Sequence, residues 1–183
     1  MKRMMFFAFS VISLINTSYP VTIQNLKASN LTHAQQQELK NIFMDSFHAV
    51  YFKDWQSVAQ EQENVFESYI SEYKTNPAIV LFAAYKDNQL AGWALYKKQD
   101  QENAILEILC ISPQFWRQGI GKHLVFSICN ECPTINHISL VTRDINPISP
   151  QFYEAQGFKK TDFRLPEYAH LENLLGFEWR RDN

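Results

Sequence analysis

The sequence has 183 residues, of which 46% are hydrophobic, and its 17 basic and 19 acidic side chains give a formal net charge of −2. This length suits one domain with its own core. The near-neutral net charge disfavours nucleic-acid binding, because domains that bind nucleic acid carry an excess of Lys and Arg on one face. Only five glycines and seven prolines exclude a collagen-like or linker-rich chain, and three cysteines argue against a disulfide framework.

The first 18 residues form a short apolar segment behind a basic start. Lys2 and Arg3 precede an apolar run over residues 4–15, which is too short for a spanning helix of about 20 residues. The pattern is typical of a signal peptide or a membrane tether, and an extra helix or strand packed on the domain is the alternative. We predict such a signal-like segment over residues 1–18 and one domain over residues 19–183.

The remaining sequence predicts strands and helices in mixed order. A strand begins at Val21, and residues 86–89 have turn chemistry that predicts a hairpin. The other predicted elements are helices over 35–45 and 58–73, strands over 79–85, 90–96 and 104–111, a helix over 119–129, a strand over 138–141, a helix over 146–156 that Gly157 closes, and strands from Phe158 and over 176–180. This order indicates an α/β domain (α+β, mixed sheet) whose central sheet is flanked by about four helices.

A glycine-containing turn opens the third predicted helix. Gly119 and Gly121 allow the backbone to approach a ligand closely, and free N–H groups at a helix start attract phosphate. The turn is not a P-loop, because Lys122 precedes His123 rather than Ser or Thr. It is not a dinucleotide fingerprint either, because Leu124 stands where a third glycine is needed. The turn therefore predicts a pyrophosphate site of another kind, with glycines kept for helix packing as the alternative.

A second motif follows the next short strand, over residues 146–158. With the turn, it resembles the motifs of the GCN5-related N-acetyltransferase (GNAT) superfamily, V-x-P with R/Q-x-x-G-x-G/A and N-x-x-A-x-x-F/L-Y-x-x-x-G-F. The matching residues are Ile111, Pro113, Gly119, Gly121, Asn146, Ser149, Phe152, Tyr153, Gly157 and Phe158. The resemblance covers nearly everything beyond the first 18 residues. The resemblance departs at one position, where the family has Arg or Gln and this sequence has Trp116, with Arg117 next to it.

The resemblance implies a GNAT-like acyl-CoA N-acyltransferase fold that uses acetyl-CoA as acyl donor and an amine as acceptor. It implies that the turn holds the pyrophosphate, through Arg117, Gln118, Gly119, Ile120, Gly121 and Lys122. The strand end would bond the pantetheine arm through Leu109, Cys110 and Ile111, and an N–H there would stabilise the developing oxyanion. Asn146 would contact the cofactor arm.

Two residues are candidates for the chemistry. Tyr153 matches the family tyrosine near the CoA sulfur, and a phenol pKa near 10 against a thiol pKa near 8.5 favours a hydrogen bond over full proton transfer. Glu107 is the candidate base that deprotonates the amine. Strand alternation predicts that it shares a face with Ile105, Leu109 and Ile111, where apolar neighbours would raise its pKa. The alternatives are a packed core tyrosine and a salt-bridged or solvated glutamate.

Residues 41–73 combine acidic and aromatic side chains where the family forms its acceptor wall. The acids are Asp45, Asp54, Glu61, Glu63, Glu67 and Glu72. This composition suits a cationic amine, although a solvated helix face over an aromatic core is the more ordinary interpretation. Cys129 and Cys132 have the spacing of half a zinc site, and because no second pair exists we expect no metal.

The sequence therefore predicts an N-acetyltransferase that moves the acetyl group of acetyl-CoA directly to an amine of a small molecule or peptide. The alternative is a non-catalytic GNAT-like domain that binds a CoA thioester or a protein partner. Use of acetyl-CoA predicts a cytoplasmic location, whereas residues 1–18 leave export or membrane tethering open. We expect no nucleic-acid partner, and membrane contact only through that segment if it is uncleaved.

Overall fold

A computed structural model describes residues 20–50, 55–144, 146, 148–168 and 173–181. The strands are β1 Thr22–Leu26, β2 Ile79–Lys86, β3 Gln89–Lys98, β4 Asn103–Ile111, β5 His137–Arg143, β6 Lys159–Thr161 and β7 Leu174–Arg180. The helices are α1 His33–Val50, α2 Trp55–Thr75, α3 Ile120–Val125, α4 Ser127–Glu131 and α5 Ile148–Ala155. The prediction for residues 1–18 lies outside the described residues. No helix within the described ranges has the length and apolar character needed to cross a membrane.

The strands form one 7-stranded sheet in the order β1-β2-β3-β4-β5-β7-β6. Every neighbouring pair is antiparallel except β4 and β5, which are parallel. The predicted mixed sheet is therefore confirmed. The predicted β2–β3 hairpin is also confirmed, since Asp87 and Asn88 turn with φ of 51° and 60°, a conformation that Asp and Asn tolerate better than most residues.

The core lies in two layers, one on each face of the sheet. Strand β3 shows this arrangement, because Trp93 and Leu95 pack with α1 and α2, whereas Ala94 and Tyr96 pack with α3 and α4. The first layer is aromatic, and Phe43 lies 6.2 Å from Trp93 between ring centroids. Helices therefore cover both faces of the sheet, and packing from both sides holds the carboxyl end of β4 in position.

The single helix predicted over residues 119–129 is wrong, because the chain breaks at Phe126 into α3 and α4. The carbonyl of Leu124 accepts hydrogen bonds from Tyr96 Oη at 2.8 Å and from Ser127 Oγ at 2.7 Å. These side chains occupy the carbonyl that a continuous helix would offer to the N–H of Ile128. The described residues consequently hold five α-helices instead of about four.

Candidate active site

Strands β4 and β5 part after a short paired stretch. Their register joins only Asn103–Ile105 with His137–Ser139, although β4 continues to Ile111 and β5 to Arg143. Beyond Ile105, the edge of β4 that faces β5 is therefore left without strand pairing. Because strand edges present N–H and C=O groups that need partners, this gap can take an extended polar ligand.

The hydrogen-bond pattern tells which groups of β4 face the gap. The N–H of Ser112 donates to the carbonyl of Ala91 at 2.9 Å, so antiparallel alternation makes Cys110 bond to Trp93 on the same side. The N–H and C=O groups of Leu109 and Ile111 consequently point away from β3, toward the gap. The structure therefore brings the backbone of Leu109 and Ile111 to the open edge, whereas Cys110 turns its backbone groups to β3.

The glycine turn lies beyond the same strand end and leads into α3. Arg117 has a φ of 62° and Gly119 a φ of 80°, so the chain passes through two left-handed residues before the helix. The N–H of His123 donates to the carbonyl of Gly119 at 3.4 Å. The N–H groups from Gly119 to Lys122 precede this first helical bond, and they remain available to an anion.

The two glycines of the turn have different surroundings. A Cβ on Gly119 would meet no atom within 4 Å, so open space lies above this residue. A Cβ on Gly121 would lie 3.1 Å from Cζ of Phe152, so this glycine allows α3 and α5 to pack closely. The turn thus has one glycine that faces free space and one that serves packing, and the open one fits a phosphate group.

The remaining side chains of the turn divide between the core and the surface. Ile120 is buried among the core residues, so only its backbone can face a ligand, while Arg117 and Lys122 are exposed cations. The amide oxygen of Gln118 accepts a hydrogen bond from Lys86 Nζ, at the end of β2. Sequence reasoning missed Lys86, because nothing local connects this hairpin to the turn.

Asn146 caps helix α5. Its Oδ1 accepts hydrogen bonds from the N–H groups of Ile148 at 3.1 Å and Ser149 at 3.3 Å, and its Nδ2 donates to Ser149 Oγ at 2.6 Å. The helix predicted from residue 146 therefore begins at Ile148, with Asn146 as its capping residue. At the other end Gly157 has a φ of 87°, which confirms that it closes the helix.

Tyr153 lies in the core of the α3–α5 layer. Its ring centroid is 5.6 Å from that of Phe158 and 5.9 Å from that of Phe177. Burial raises the pKa of Tyr153 well above its ordinary value, and the neighbouring Cys110 thiol adds to the effect. The phenol therefore keeps its proton, which suits a hydrogen-bond donor and disfavours an acid that gives the proton away.

Glu107 lies at a bulge in β4. Leu95 pairs with Ile108 and Tyr96 pairs with Leu106, so Glu107 is the extra residue between them. Its side chain is half-buried, and its Oε2 is fully buried.

The bulge changes which residues share a face of β4. Beyond it, Leu109 and Ile111 pack in the same core layer as Ala104 and Leu106. The prediction that Ile105 shares a face with Leu109 and Ile111 is therefore wrong, because one inserted residue reverses the alternation.

The acidic and aromatic helices form core and ion pairs in the described residues. Phe66 packs against Phe43 at 5.6 Å between centroids, while Lys40 pairs with Glu67 at 3.2 Å and Lys97 with Glu72 at 3.0 Å. These contacts favour the ordinary interpretation for those side chains. Asp54 lies outside the described residues.

The cysteines of the described residues are free thiols. Burial raises the pKa of Cys129, so this thiol is held in its protonated form. Within the described ranges, no three His, Cys, Asp or Glu side chains come together as metal ligands.

A family model described as the acetyltransferase (GNAT) family matches residues 37–158. A search of curated protein sequences gives no significant match.

Many solved structures match the fold. The PaiA N-acetyltransferase of Thermoplasma acidophilum, solved with coenzyme A, has 20% identity and a TM-score of 0.69 over 89% of this chain and 100% of its own. The ribosomal-protein-S18-alanine N-acetyltransferase of Escherichia coli has 17% identity and a TM-score of 0.62 over 88% and 94%. The N-acetyltransferase PseH of Campylobacter jejuni, solved with acetyl coenzyme A, has 12% identity and a TM-score of 0.59 over 89% and 100%.

Proposed function

The chain belongs to the acetyltransferase (GNAT) family, and from this membership we propose that it moves the acetyl group of acetyl-CoA directly to an amine of a small molecule or peptide. The single observation that carries the proposal is the gap between β4 and β5, at whose end the open Gly119 turn lies. Solved relatives with coenzyme A or acetyl coenzyme A bound support the same donor.

The chain's own groups fit such a donor along its whole length. The N–H groups from Gly119 to Lys122 would hold the pyrophosphate, and the cations Arg117 and Lys122 would add long-range attraction. The N–H and C=O of Leu109 and the N–H of Ile111 would pair with the amide groups of the pantetheine arm, as a further strand would. Asn146 would act indirectly here, since its side chain is engaged in capping α5.

Two side chains would assist the reaction, Glu107 by accepting a proton and Tyr153 by donating a hydrogen bond. Acetyl-CoA supplies an activated thioester, whose carbonyl carbon an amine nitrogen attacks. Glu107 would accept the proton that the amine loses, directly or through one water, at a carboxylate oxygen. As the C–S bond breaks, Tyr153 would donate a hydrogen bond from Oη to the departing thiolate and retain its own proton, in accordance with its raised pKa. The thiolate would then take a proton from solvent and leave as the free thiol of CoA. A backbone N–H at the β4 end would bind the oxygen on which charge develops.

One observation favours a second candidate, a non-catalytic domain that binds a CoA thioester or a protein partner. Trp116 stands where the family motif has Arg or Gln, which removes a side chain suited to phosphate. In this case acetyl-CoA would bind without turnover. Release of free CoA thiol in the presence of amines separates the two candidates.

The test is calorimetry of the full chain with acetyl-CoA, followed by thiol release with a panel of small amines and peptide amines. We expect micromolar binding and amine-dependent release of CoA. A folded protein that binds no acetyl-CoA would refute the transferase proposal. The remaining candidate would then be a non-catalytic domain that binds a protein partner.

We further propose a cytoplasmic location for the domain over residues 19–183, because acetyl-CoA is expected in that compartment. Mass spectrometry of the mature N-terminus tests this proposal. A chain cleaved near Ser18 would contradict it and favour export.

A further inference from the structure

The carbonyl of Ile111, the last residue of β4, accepts two side-chain hydrogen bonds. Ser46 Oγ on α1 donates to it at 3.0 Å, and Trp116 Nε1 donates to it at 2.8 Å. Because a backbone carbonyl has two lone pairs, these donors use its full capacity. Three parts of the chain, namely α1, β4 and the glycine turn, therefore meet at one oxygen atom.

This carbonyl lies among the groups that face the gap beside β4. The N–H and C=O of Leu109 and Ile111 point there, as the alternation with β3 requires. With the Ile111 carbonyl occupied, the gap retains the N–H and C=O of Leu109 and the N–H of Ile111. A pantetheine arm in the gap can therefore accept a hydrogen bond from Ile111 but has no free lone pair there to donate to.

The Trp116 side chain is 37% exposed, so part of its ring remains in contact with water. Its indole N–H donates back across Ser112–Phe115 to the strand end, and this hydrogen bond links the end of β4 to the start of the glycine turn. The Ser46 hydroxyl donates to the same oxygen from α1, so the two donors come from distant parts of the chain.

We infer that Ser46 and Trp116 are positioning residues that lock the Ile111 carbonyl and so set the edge against which the pantetheine arm of acetyl-CoA lies. The inference rests on the proposed function, since it names how this chain holds the arm of that donor. The inference also gives a role to Trp116, which stands where the family motif has Arg or Gln. Its indole N–H orders the end of β4 without contacting phosphate. Neither residue touches the reacting atoms, so both act through the backbone.

The experiment compares two ligands on the full chain by calorimetry. Acetyl-CoA carries the pantetheine arm, whereas 3′-phospho-ADP contains the nucleotide and pyrophosphate without it. The variants are Ser46→Ala and Trp116→Phe, which remove one donor each, and Ser68→Ala on the exposed face of α2 is the matched control. Thermal unfolding without ligand checks that each variant is folded at the temperature of the titration.

We expect Ser46→Ala and Trp116→Phe each to weaken acetyl-CoA binding by about two- to tenfold, because a less well placed Ile111 N–H would lose up to one neutral hydrogen bond to the arm. In Ser46→Ala the affinity for 3′-phospho-ADP should stay at the wild-type value, and Ser68→Ala should match wild type with both ligands. Unchanged acetyl-CoA affinity in both donor variants overturns the inference. So does an equal loss of both ligands in Ser46→Ala, because that effect would not be confined to the arm. A wild-type chain that binds no acetyl-CoA contradicts the proposed function instead.

Discussion

The substitution Gly119→Ala tests whether the open glycine of the turn is the pyrophosphate site. Gly119 has a φ of 80°, a conformation that costs an L-residue about 1–2 kcal/mol. Its added methyl group would meet no protein atom within 4 Å, so steric clash within the protein contributes nothing to this loss. We therefore expect the melting temperature to fall by about 2–4 °C for each kcal/mol.

The effect on ligand binding should be larger than the effect on stability. The methyl group would stand in the space that a pyrophosphate needs to reach the N–H groups from Gly119 to Lys122. Loss of one charge-assisted hydrogen bond is worth about 1.5–3 kcal/mol, so acetyl-CoA affinity should fall roughly tenfold or more. Calorimetry with acetyl-CoA, together with thermal unfolding without ligand, measures both quantities on the same sample.

Gly157→Ala is the matched control. Gly157 also has a positive φ, of 87°, and its added Cβ would make only an ordinary contact with Trp179 at 3.8 Å. It closes the far end of α5, so it should lose similar stability and keep its acetyl-CoA affinity. An equal loss of affinity in both variants would refute the reasoning, as would unchanged affinity in Gly119→Ala. Gly121→Ala would be a poorer test of the pyrophosphate site, because the added Cβ would press on Phe152 and disturb the packing of α3 against α5.

Four further outcomes follow from the same structure. Tyr153→Phe should lower kcat about tenfold or more with little change in acetyl-CoA affinity, since the ring still packs and only the hydrogen bond to the leaving sulfur is lost; an unchanged kcat in steady-state assays would remove Tyr153 from the chemistry. Glu107→Gln should lower kcat about a hundredfold and remove the acidic limb of the pH–rate profile, whereas a wild-type profile would assign the base to water. Asn146→Ala should destabilise the protein by about 1 kcal/mol through loss of the α5 cap, measured by urea unfolding, and a wild-type midpoint would contradict the capping role. Burial raises the pKa of Tyr73 to about 12, so the unfolded chain loses this proton first, near pH 10, and Tyr73 should account for about 2 kcal/mol of the fall in unfolding free energy between pH 10 and pH 12, beside the share of the other buried tyrosines; Tyr73→Phe should lessen the fall by this amount, and an equal slope in both proteins would refute the assignment.

The sequence predicted those parts of the site that depend on local chemistry. Gly119 and Gly157 have the positive φ that only glycine adopts easily, and both positions were predicted from the neighbouring helix patterns. Asn146 was assigned to the cofactor arm, yet its amide caps α5. Asn is common both as a helix-capping residue and at this position of the family motif, so the sequence alone does not separate the two roles. The hydrogen bonds that Asn146 makes in the structure do.

The strand beside the gap illustrates what local pattern could not predict. Residues 104–111 were correctly predicted as a buried strand, and strict alternation then put Ile105 and Ile111 on one face. The bulge at Glu107 reversed that relation. A bulge depends on how β4 registers against β3, and the side-chain sequence of one strand does not contain this information.

The sequence by itself determined the order of strands and helices, the hairpin at Asp87–Asn88 and the glycine turn, because each depends on the conformational preferences of neighbouring residues. The tertiary structure alone decided the break at Phe126 and the double hydrogen bond on the Ile111 carbonyl. In both cases a backbone carbonyl is captured by a side chain from a distant part of the chain, namely Tyr96 and Ser46. Such contacts arise only when separate elements pack together, so their positions are set by the fold and not by the local sequence.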